Sequence, residues 1–90
     1  MVQHKVRDFS EWKSAFDERE ALRWWHGARR QWIYRSVEDP NDVLLAIEFL
    51  SPEQGTAYLQ DPDLRETMQR GGVQGEPDIH FCEPVTRIHH

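Results

Sequence analysis

Residues 51–72, SPEQGTAYLQDPDLRETMQRGG, are the stretch that decides the fold. The stretch opens with a serine in the N-cap position, a proline at the first helical position and a capping-box glutamine, which together predict that a helix begins there. The Asp-Pro pair at 61–62 repeats the signal, so we expect this helical region to be broken into two pieces that end at the glycine pair 71–72. Leu64 and Met68 are expected to pack inward.

A second helix entry lies near the start of the chain, at residues 8–13, DFSEWK. Asp8 precedes Glu11 by three residues and Ser10 precedes Lys13 by three, so either can cap the helix. Gly27 is placed where a helix-closing glycine is expected. The apolar positions between these signals follow helical spacing: Phe9, Trp12, Phe16, Leu22 and Trp25.

Strands are predicted before, between and after the two helical regions. Val2, His4 and Val6 alternate with polar residues, and QWIYRSV at 31–37 is joined to VLLAIEFL at 43–50 by a turn cluster. The last strand is predicted at 79–85, IHFCEPV. The order β-α-β-β-α-β predicts a ferredoxin-like α+β protomer, with a four-stranded antiparallel sheet and both helices on one face.

The length of 90 residues predicts a single domain over residues 1–90. At this size folding buries only about 60% of the surface of the unfolded chain, so the core is thin. One face of the predicted sheet has no helix on it, and an exposed apolar face of this kind indicates contact with a partner. We therefore expect a homodimer in which the two sheets stack.

Composition excludes several classes of function. Eleven Lys and Arg residues against 16 Asp and Glu residues give a net charge of −5, and the basic residues are scattered, so no nucleic-acid partner is expected. The single cysteine, Cys82, excludes an internal disulfide. The N-terminus lacks the apolar segment of a signal peptide and no run approaches the roughly 18 apolar residues of a membrane span, so we expect a cytoplasmic protein with no membrane partner. His89 and His90 resemble the start of a purification tag and receive no functional assignment.

Taken together, VRDFSEWKSAFDE, DPNDV, the SPEQ helix start, DPDLRETM, GGV and a closing IHF resemble the dimeric α+β barrel proteins related to antibiotic-biosynthesis monooxygenases and small polyketide cyclases. The resemblance covers about residues 2–85 and consists mostly of caps, turns and core positions. It implies a ferredoxin-like protomer, a homodimer whose sheets form a barrel, and a ligand cavity between each sheet and its helices. Branches of that family oxidise or cyclise aromatic polyketides without a cofactor, degrade haem, or have no known substrate.

His4 is the candidate catalytic residue. A related plant polyketide cyclase has a histidine on its first strand, so the resemblance implies a general base at His4. That cyclase also needs a histidine after its second helix begins, where this chain has DPDL at 61–64. The alternative is a histidine that lines the sheet with its ring satisfied by backbone or water.

Other residues are candidates for contact with a small hydrophobic or aromatic ligand. Trp32 and Tyr34 share a strand face, where they either fill a core or interface or stack on a flat ligand. His26 either complements the dipole at a helix end or lies in a cavity beside Trp24 and Trp25. Trp25, His26, Trp32, Tyr34 and His80 are therefore the predicted ligand-binding residues.

No metal and no cofactor is expected. His80 and Cys82 share a strand face, and His4 could lie across from them, but the spacing matches no known metal motif. Cys82 is more typical of a small buried hydrophobe. The haem-degrading branch uses a histidine from the second helical region, and residues 52–70 contain none.

Glu48 is the one carboxylate inside an apolar strand. If it is buried it must be paired, and Arg35 across the hairpin or an arginine of a second subunit could pair with it. The alternative is a general base with a raised pKa.

The sequence therefore leads to two hypotheses. The first is a small dimeric enzyme that acts on an aromatic or polyketide-like metabolite as a cofactor-independent monooxygenase or a cyclase. The second is a dimeric protein that binds a small molecule without catalysis.

Overall fold

Four antiparallel strands form a single sheet in the computed structural model, which describes residues 1–86 and residue 88. The elements are β1 (Val2–Val6), α1 (Phe9–Glu18), α2 (Glu20–Trp25), β2 (Ala28–Arg35), β3 (Asp42–Phe49), α3 (Pro52–Leu59), α4 (Pro62–Arg70) and β4 (Val73–Ile79). The strand order is β2-β3-β1-β4, so β1 and β3 are central. The predicted ferredoxin-like α+β order is confirmed, with each helical region in two pieces. The tag interpretation of His89 and His90 falls outside the described residues.

The first helical region differs from its prediction because it is interrupted at Arg19. Asp8 is the N-cap of α1, with its carboxylate accepting a hydrogen bond from the Glu11 amide at 3.0 Å. At the other end the Arg19 amide donates to the Phe16 carbonyl at 3.2 Å, a bond that tightens the last turn. The same carbonyl accepts a hydrogen bond from the Arg23 guanidinium at 2.6 Å. A side chain therefore bonds the carbonyl that would otherwise continue the helix, and α2 begins afresh at residue 20.

The second helical region has the predicted form. The Ser51 hydroxyl accepts a hydrogen bond from the Gln54 amide at 3.3 Å, and Pro52 occupies the first turn of α3. Asp61 caps α4 by accepting from the Asp63 amide at 2.9 Å. Leu64 is buried and Met68 is partly buried against the sheet side.

The last strand was predicted six residues too late. β4 spans Val73–Ile79, and residues 80–85 lie beyond it. The strand contains Gly75 with φ +70° and Pro77, two residue types that are typical of a strand boundary. Both fit an edge strand, because the β1–β4 register shifts between Gln3 and Lys5 and an edge strand can omit a ladder donor.

The helices pack against one face of the sheet and leave the other face open to solvent. The helix side holds the core cluster of Val6, Trp12, Phe16, Val43 and Leu45. On the opposite face Trp32 pairs with Ala46 across β2 and β3, and Tyr34 pairs with Leu44. Trp32 is 42% exposed and Tyr34 is 52% exposed, so this open face presents large apolar side chains to solvent.

Glu48 is not buried, and the prediction that Arg35 pairs with it is wrong. Its side chain is 46% exposed and lies 3.1 Å from Arg30, its cross-strand neighbour on the open face. Arg35 belongs to the helix side, where its guanidinium lies 4.0 Å from the centre of the Phe9 ring. An exposed ion pair of this kind contributes about 0–1 kcal/mol to the stability of the fold. Glu48 is therefore neither part of a buried ion pair nor a desolvated general base.

Gly27 joins the first helical region to the sheet, as predicted. Its φ of +90° lies in the left-handed region that favours glycine. Its carbonyl accepts a hydrogen bond from the Leu50 amide at 3.1 Å, which ties the end of α2 to the end of β3. A Cβ at this position would stand 2.7 Å from the Gln54 side chain.

Candidate active site

A cavity of about 50 Å³ lies between the helix side of the sheet and all four helices. Its wall is apolar except at a few positions. The sheet supplies Val2, His4, Leu45 and Ile47, and the helices supply Trp12, Ala15, Phe16, Arg23, Tyr58, Leu59, Leu64, Thr67 and Met68. The location is the one that the family resemblance implies for a ligand cavity.

His4 is the only predicted site residue that lines this cavity. It lies opposite Val43 in the β1–β3 ladder, faces the helices, and is 6% exposed. Neither ring nitrogen has a hydrogen-bond partner among the described residues, and the Trp12 ring lies 5.5 Å away, centre to centre. Burial lowers the pKa of His4 below its usual value, although the Asp42 charge opposes the shift. His4 is therefore a neutral imidazole at pH 7, with one free acceptor and one free donor.

Arg23 is the second polar group of the cavity, and it is not among the site residues predicted from the sequence. It is 2% exposed, and its side chain donates to Gln31 at 2.9 Å and to the Phe16 carbonyl at 2.6 Å. Its guanidinium carbon lies 3.4 Å from the centre of the Phe16 ring. Arg23 follows Phe16 by seven residues, so helical spacing could have placed it on the buried side.

Tyr58 and Thr67 complete the polar wall from the second helical region. Burial raises the pKa of the Tyr58 hydroxyl, against the opposing effect of the neighbouring Arg23 charge. Tyr58 therefore stays protonated at neutral pH. The Thr67 hydroxyl donates to the Asp63 carbonyl at 2.8 Å, so it is already satisfied within its own helix.

His26 lies at the end of α2, outside the cavity wall. Its Nε2 is 2.8 Å from the Asp61 carboxylate at the start of α4, and its ring packs edge-on against Tyr58 at 5.8 Å. This hydrogen bond is the main reason that the pKa of Asp61 is lowered. His26 therefore connects the two helical regions beside the cavity.

The other predicted ligand-binding residues lie away from the cavity. Trp32 and Tyr34 are on the open face of the sheet, and Trp25 is 83% exposed on the surface of α2. His80 is exposed after the end of β4, where its amide donates to the Met1 carbonyl at 2.8 Å. The structure does not bring these four side chains together with His4.

The possible metal site of His4, His80 and Cys82 does not form. Cys82 is exposed, so it is not the buried hydrophobe that the sequence indicated. Within residues 1–86 and 88 no three His, Cys, Asp or Glu side chains come close enough to hold a metal ion. In the same part of the chain no helix has the length and apolar character that crossing a bilayer requires.

Comparison with solved structures identifies the fold class. The putative antibiotic biosynthesis monooxygenase of Bordetella bronchiseptica superposes with a TM-score of 0.80 at 15% sequence identity, over 94% of this chain and 93% of that one. A protein of the same description from Nitrosomonas europaea superposes with a TM-score of 0.67 at 15% identity, over 86% of this chain and 79% of that one. No model of a protein family and no curated protein matches the sequence. The resemblance to the antibiotic-biosynthesis monooxygenase group is thus confirmed at the level of the fold.

Proposed function

We propose that the protein is a small cytoplasmic enzyme that binds a hydrophobic, aromatic or polyketide-like metabolite in this cavity. It acts on that metabolite as a cofactor-independent monooxygenase or as a cyclase. The observation that carries the proposal is His4, a buried imidazole that has no hydrogen-bond partner among the residues that the structure describes and that faces an apolar cavity. The likeness in fold to two proteins described as antibiotic biosynthesis monooxygenases supports the same chemistry.

The chemistry asked of His4 is proton abstraction. Because burial keeps the ring neutral, a free nitrogen is available as a base at neutral pH. It takes a proton from an activated C–H group of the substrate and leaves a resonance-stabilised carbanion. In the oxygenase reaction the carbanion gives its electrons to dioxygen, and the resulting hydroperoxide loses water to leave a carbonyl. In the cyclase reaction the carbanion attacks a carbonyl carbon of the same molecule.

The apolar wall serves this reaction by excluding water. Leu45, Ile47 and Leu64 offer no hydrogen bonds, so a hydrocarbon ring system gains by leaving water for the cavity. The volume of about 50 Å³ is smaller than the roughly 150 Å³ of a cavity that holds benzene, so the helices must move outward to admit an aromatic ligand.

A homodimer is part of the proposal. Trp32, Tyr34 and Leu44 lie on a sheet face that no helix covers. Burying this face against the same face of a second copy would remove the exposed apolar patch and would produce the barrel that the family resemblance implies.

Anthrone tests the enzymatic function, because its methylene group is acidic and its oxidation to anthraquinone and water consumes one dioxygen. We expect the protein to accelerate oxygen uptake in the presence of anthrone. His4→Ala should lower that rate about 10²–10⁴-fold, which is the usual contribution of a positioned general base. His4→Phe should be equally inactive, because it fills the position without a nitrogen.

His80→Ala is the matched control, since His80 is an exposed histidine outside the cavity. Its rate should equal that of the unchanged protein. Full activity in both His4 variants, with dimerisation and fold intact, would remove His4 from the mechanism.

One observation favours non-catalytic binding as a second candidate function. Trp12 and Phe16 stack with their centres 5.1 Å apart and already fill much of the space beside His4. A binding protein would retain anthrone and release it unchanged, so identifying the compound recovered after incubation separates the two functions.

A further inference from the structure

We propose that Arg23 is the anion-recognition residue of the cavity, and that the natural ligand presents a negatively charged oxygen to it. A carboxylate, a phenolate or an enolate would serve. The inference deepens the proposed function and rests on it, since it specifies the substrate class of the same cavity.

The first observation is that Arg23 is a buried cation that forms no ion pair with residues 1–86 or 88. Its side chain is 2% exposed, and no Asp or Glu oxygen among the described residues lies within 4.0 Å of it. Burial lowers the pKa of Arg23, but an arginine side chain stays protonated in proteins. The cavity wall therefore carries a full positive charge.

The groups in direct contact with Arg23 are neutral, and the carboxylates of Glu20 and Asp17 act on its charge only from beyond ion-pair distance. Gln31, the Phe16 carbonyl and the Tyr58 hydroxyl are neutral partners, and the Phe16 ring offers only its π face. Burying a charge without an oppositely charged partner in contact is costly in proteins. Retention of a guanidinium here is explained if a ligand supplies the missing negative charge.

The second observation is the state of His4 on the sheet side. His4 lines the same cavity, and only 6% of its surface is exposed to solvent. Neither of its ring nitrogens has a hydrogen-bond partner among the described residues. Because the ring is neutral, it attracts an anion less strongly than the charged Arg23 does. A ligand that matches this wall has an anionic oxygen to bind Arg23 and a proton-bearing group to contact His4. An apolar body joins the two groups and contacts the apolar part of the wall.

An anion could also bind at a second place next to Arg23, outside the cavity. Arg23 also borders a surface hollow of about 190 Å³ that includes Arg29 and Arg30. Arg30 is 67% exposed, so anions there are screened by water and salt. Arg30 is therefore the control position for non-specific attraction to the surface.

The test compares benzoate with benzamide, which have nearly the same shape and differ in charge. Thermal unfolding of the intact protein is followed at increasing concentrations of each compound, with sodium chloride holding the ionic strength constant. Because a ligand of the native state stabilises it in proportion to RT ln(1 + [L]/Kd), the midpoints report the two Kd values. We expect benzamide to bind about tenfold or more weakly than benzoate.

Two variants connect the preference to Arg23. Arg23→Met should fold, keep its weak affinity for benzamide and bind benzoate no better than benzamide. Arg23→Lys should retain part of the preference for benzoate. If Arg23→Met does not fold, the ratio of the benzoate and benzamide affinities is measured in Arg23→Lys instead. Arg30→Met should behave like the unchanged protein.

Three results would overturn the inference: equal affinity of the unchanged protein for the two compounds, a benzoate preference that survives in Arg23→Met, or loss of the preference in Arg30→Met. Each is distinct from failure of the proposed function. Turnover of anthrone that depends on His4, together with equal binding of benzoate and benzamide, would leave the enzyme in place and remove the role of Arg23.

Discussion

At the residue scale, His4 makes the stability of the protein depend on pH. Its pKa is lowered by burial, whereas in the unfolded chain the imidazole returns to its ordinary value near 6.5. As the pH falls below that value the unfolded state binds a proton that the native state does not bind. Native stability is therefore full above the ordinary pKa and declines as the pH falls toward the lowered one.

We predict that the free energy of unfolding falls between pH 7 and pH 5 with a slope of at most about 1.4 kcal/mol per pH unit from this residue. Urea titrations at a series of pH values measure it. His4→Leu should flatten the slope. The Asp61 carboxyl has a lowered pKa, so its contribution is lost only in a separate window below its ordinary value of 3.8.

Two charged residues show the limit of reading a sequence one residue at a time. Glu48 stands among apolar neighbours, yet it lies near the end of β3 on the face that solvent reaches. Arg23 is charged and 2% exposed, whereas the apolar Trp24 beside it is 62% exposed. Alternation along a strand and spacing along a helix decide burial, and the chemical nature of adjacent residues does not.

At the element scale, the start of α3 depends on the Ser51 hydroxyl. The hydroxyl satisfies the amide of Gln54, which has no partner within the helix. We predict that Ser51→Ala lowers the free energy of unfolding by about 1 kcal/mol. A denaturant titration measures the change.

Ser10→Ala is the matched control for that cap. Ser10 lies inside α1, after the cap residue Asp8, so its hydroxyl is not needed to begin the helix. Its replacement should leave the midpoint nearly unchanged. A loss equal to that of Ser51→Ala would mean that serine removal itself, rather than loss of a cap, sets the effect.

Several helix boundaries were predictable from the sequence because a cap is a local event. Ser51, Asp61 and the glycine at 27 act through neighbours only a few residues away in the chain or through their own φ. The break at Arg19 and the course of β4 were not predictable in this way. They depend on a side-chain bond from Arg23 and on pairing with β1, both of which exist only in the folded chain.

The candidate site likewise combines a residue that local sequence pattern could identify with residues that only the folded chain brings together. His4 could be found because strand alternation placed it on a definite face. The cavity also needs Arg23, Tyr58 and Leu64, which come from three different helices. Only the packing of the helical regions on the sheet brings them together.

At the scale of the whole molecule, the open sheet face predicts association. The protein should sediment as a dimer, at twice the chain mass of 10.7 kDa, at micromolar concentration. Trp32→Glu should yield monomers, because it places a charge on the face that the proposed dimer buries. A stable monomer before any substitution would contradict the proposed dimer.

Trp25→Glu is the control for that substitution. Trp25 is 83% exposed on α2, on the helical side of the molecule, so the same change there should leave the dimer intact. Dissociation of both variants would indicate a general loss of structure, which circular dichroism would detect.

The close approach of Gln54 to Gly27 has an evolutionary consequence. The amide group of Gln54 occupies the space that a side chain at position 27 would need, with 2.7 Å to an ideal Cβ. A side chain at position 27 would have to displace that amide group and would also have to adopt a φ of +90°. In related sequences position 27 should therefore remain glycine, even where position 54 has a smaller residue than glutamine.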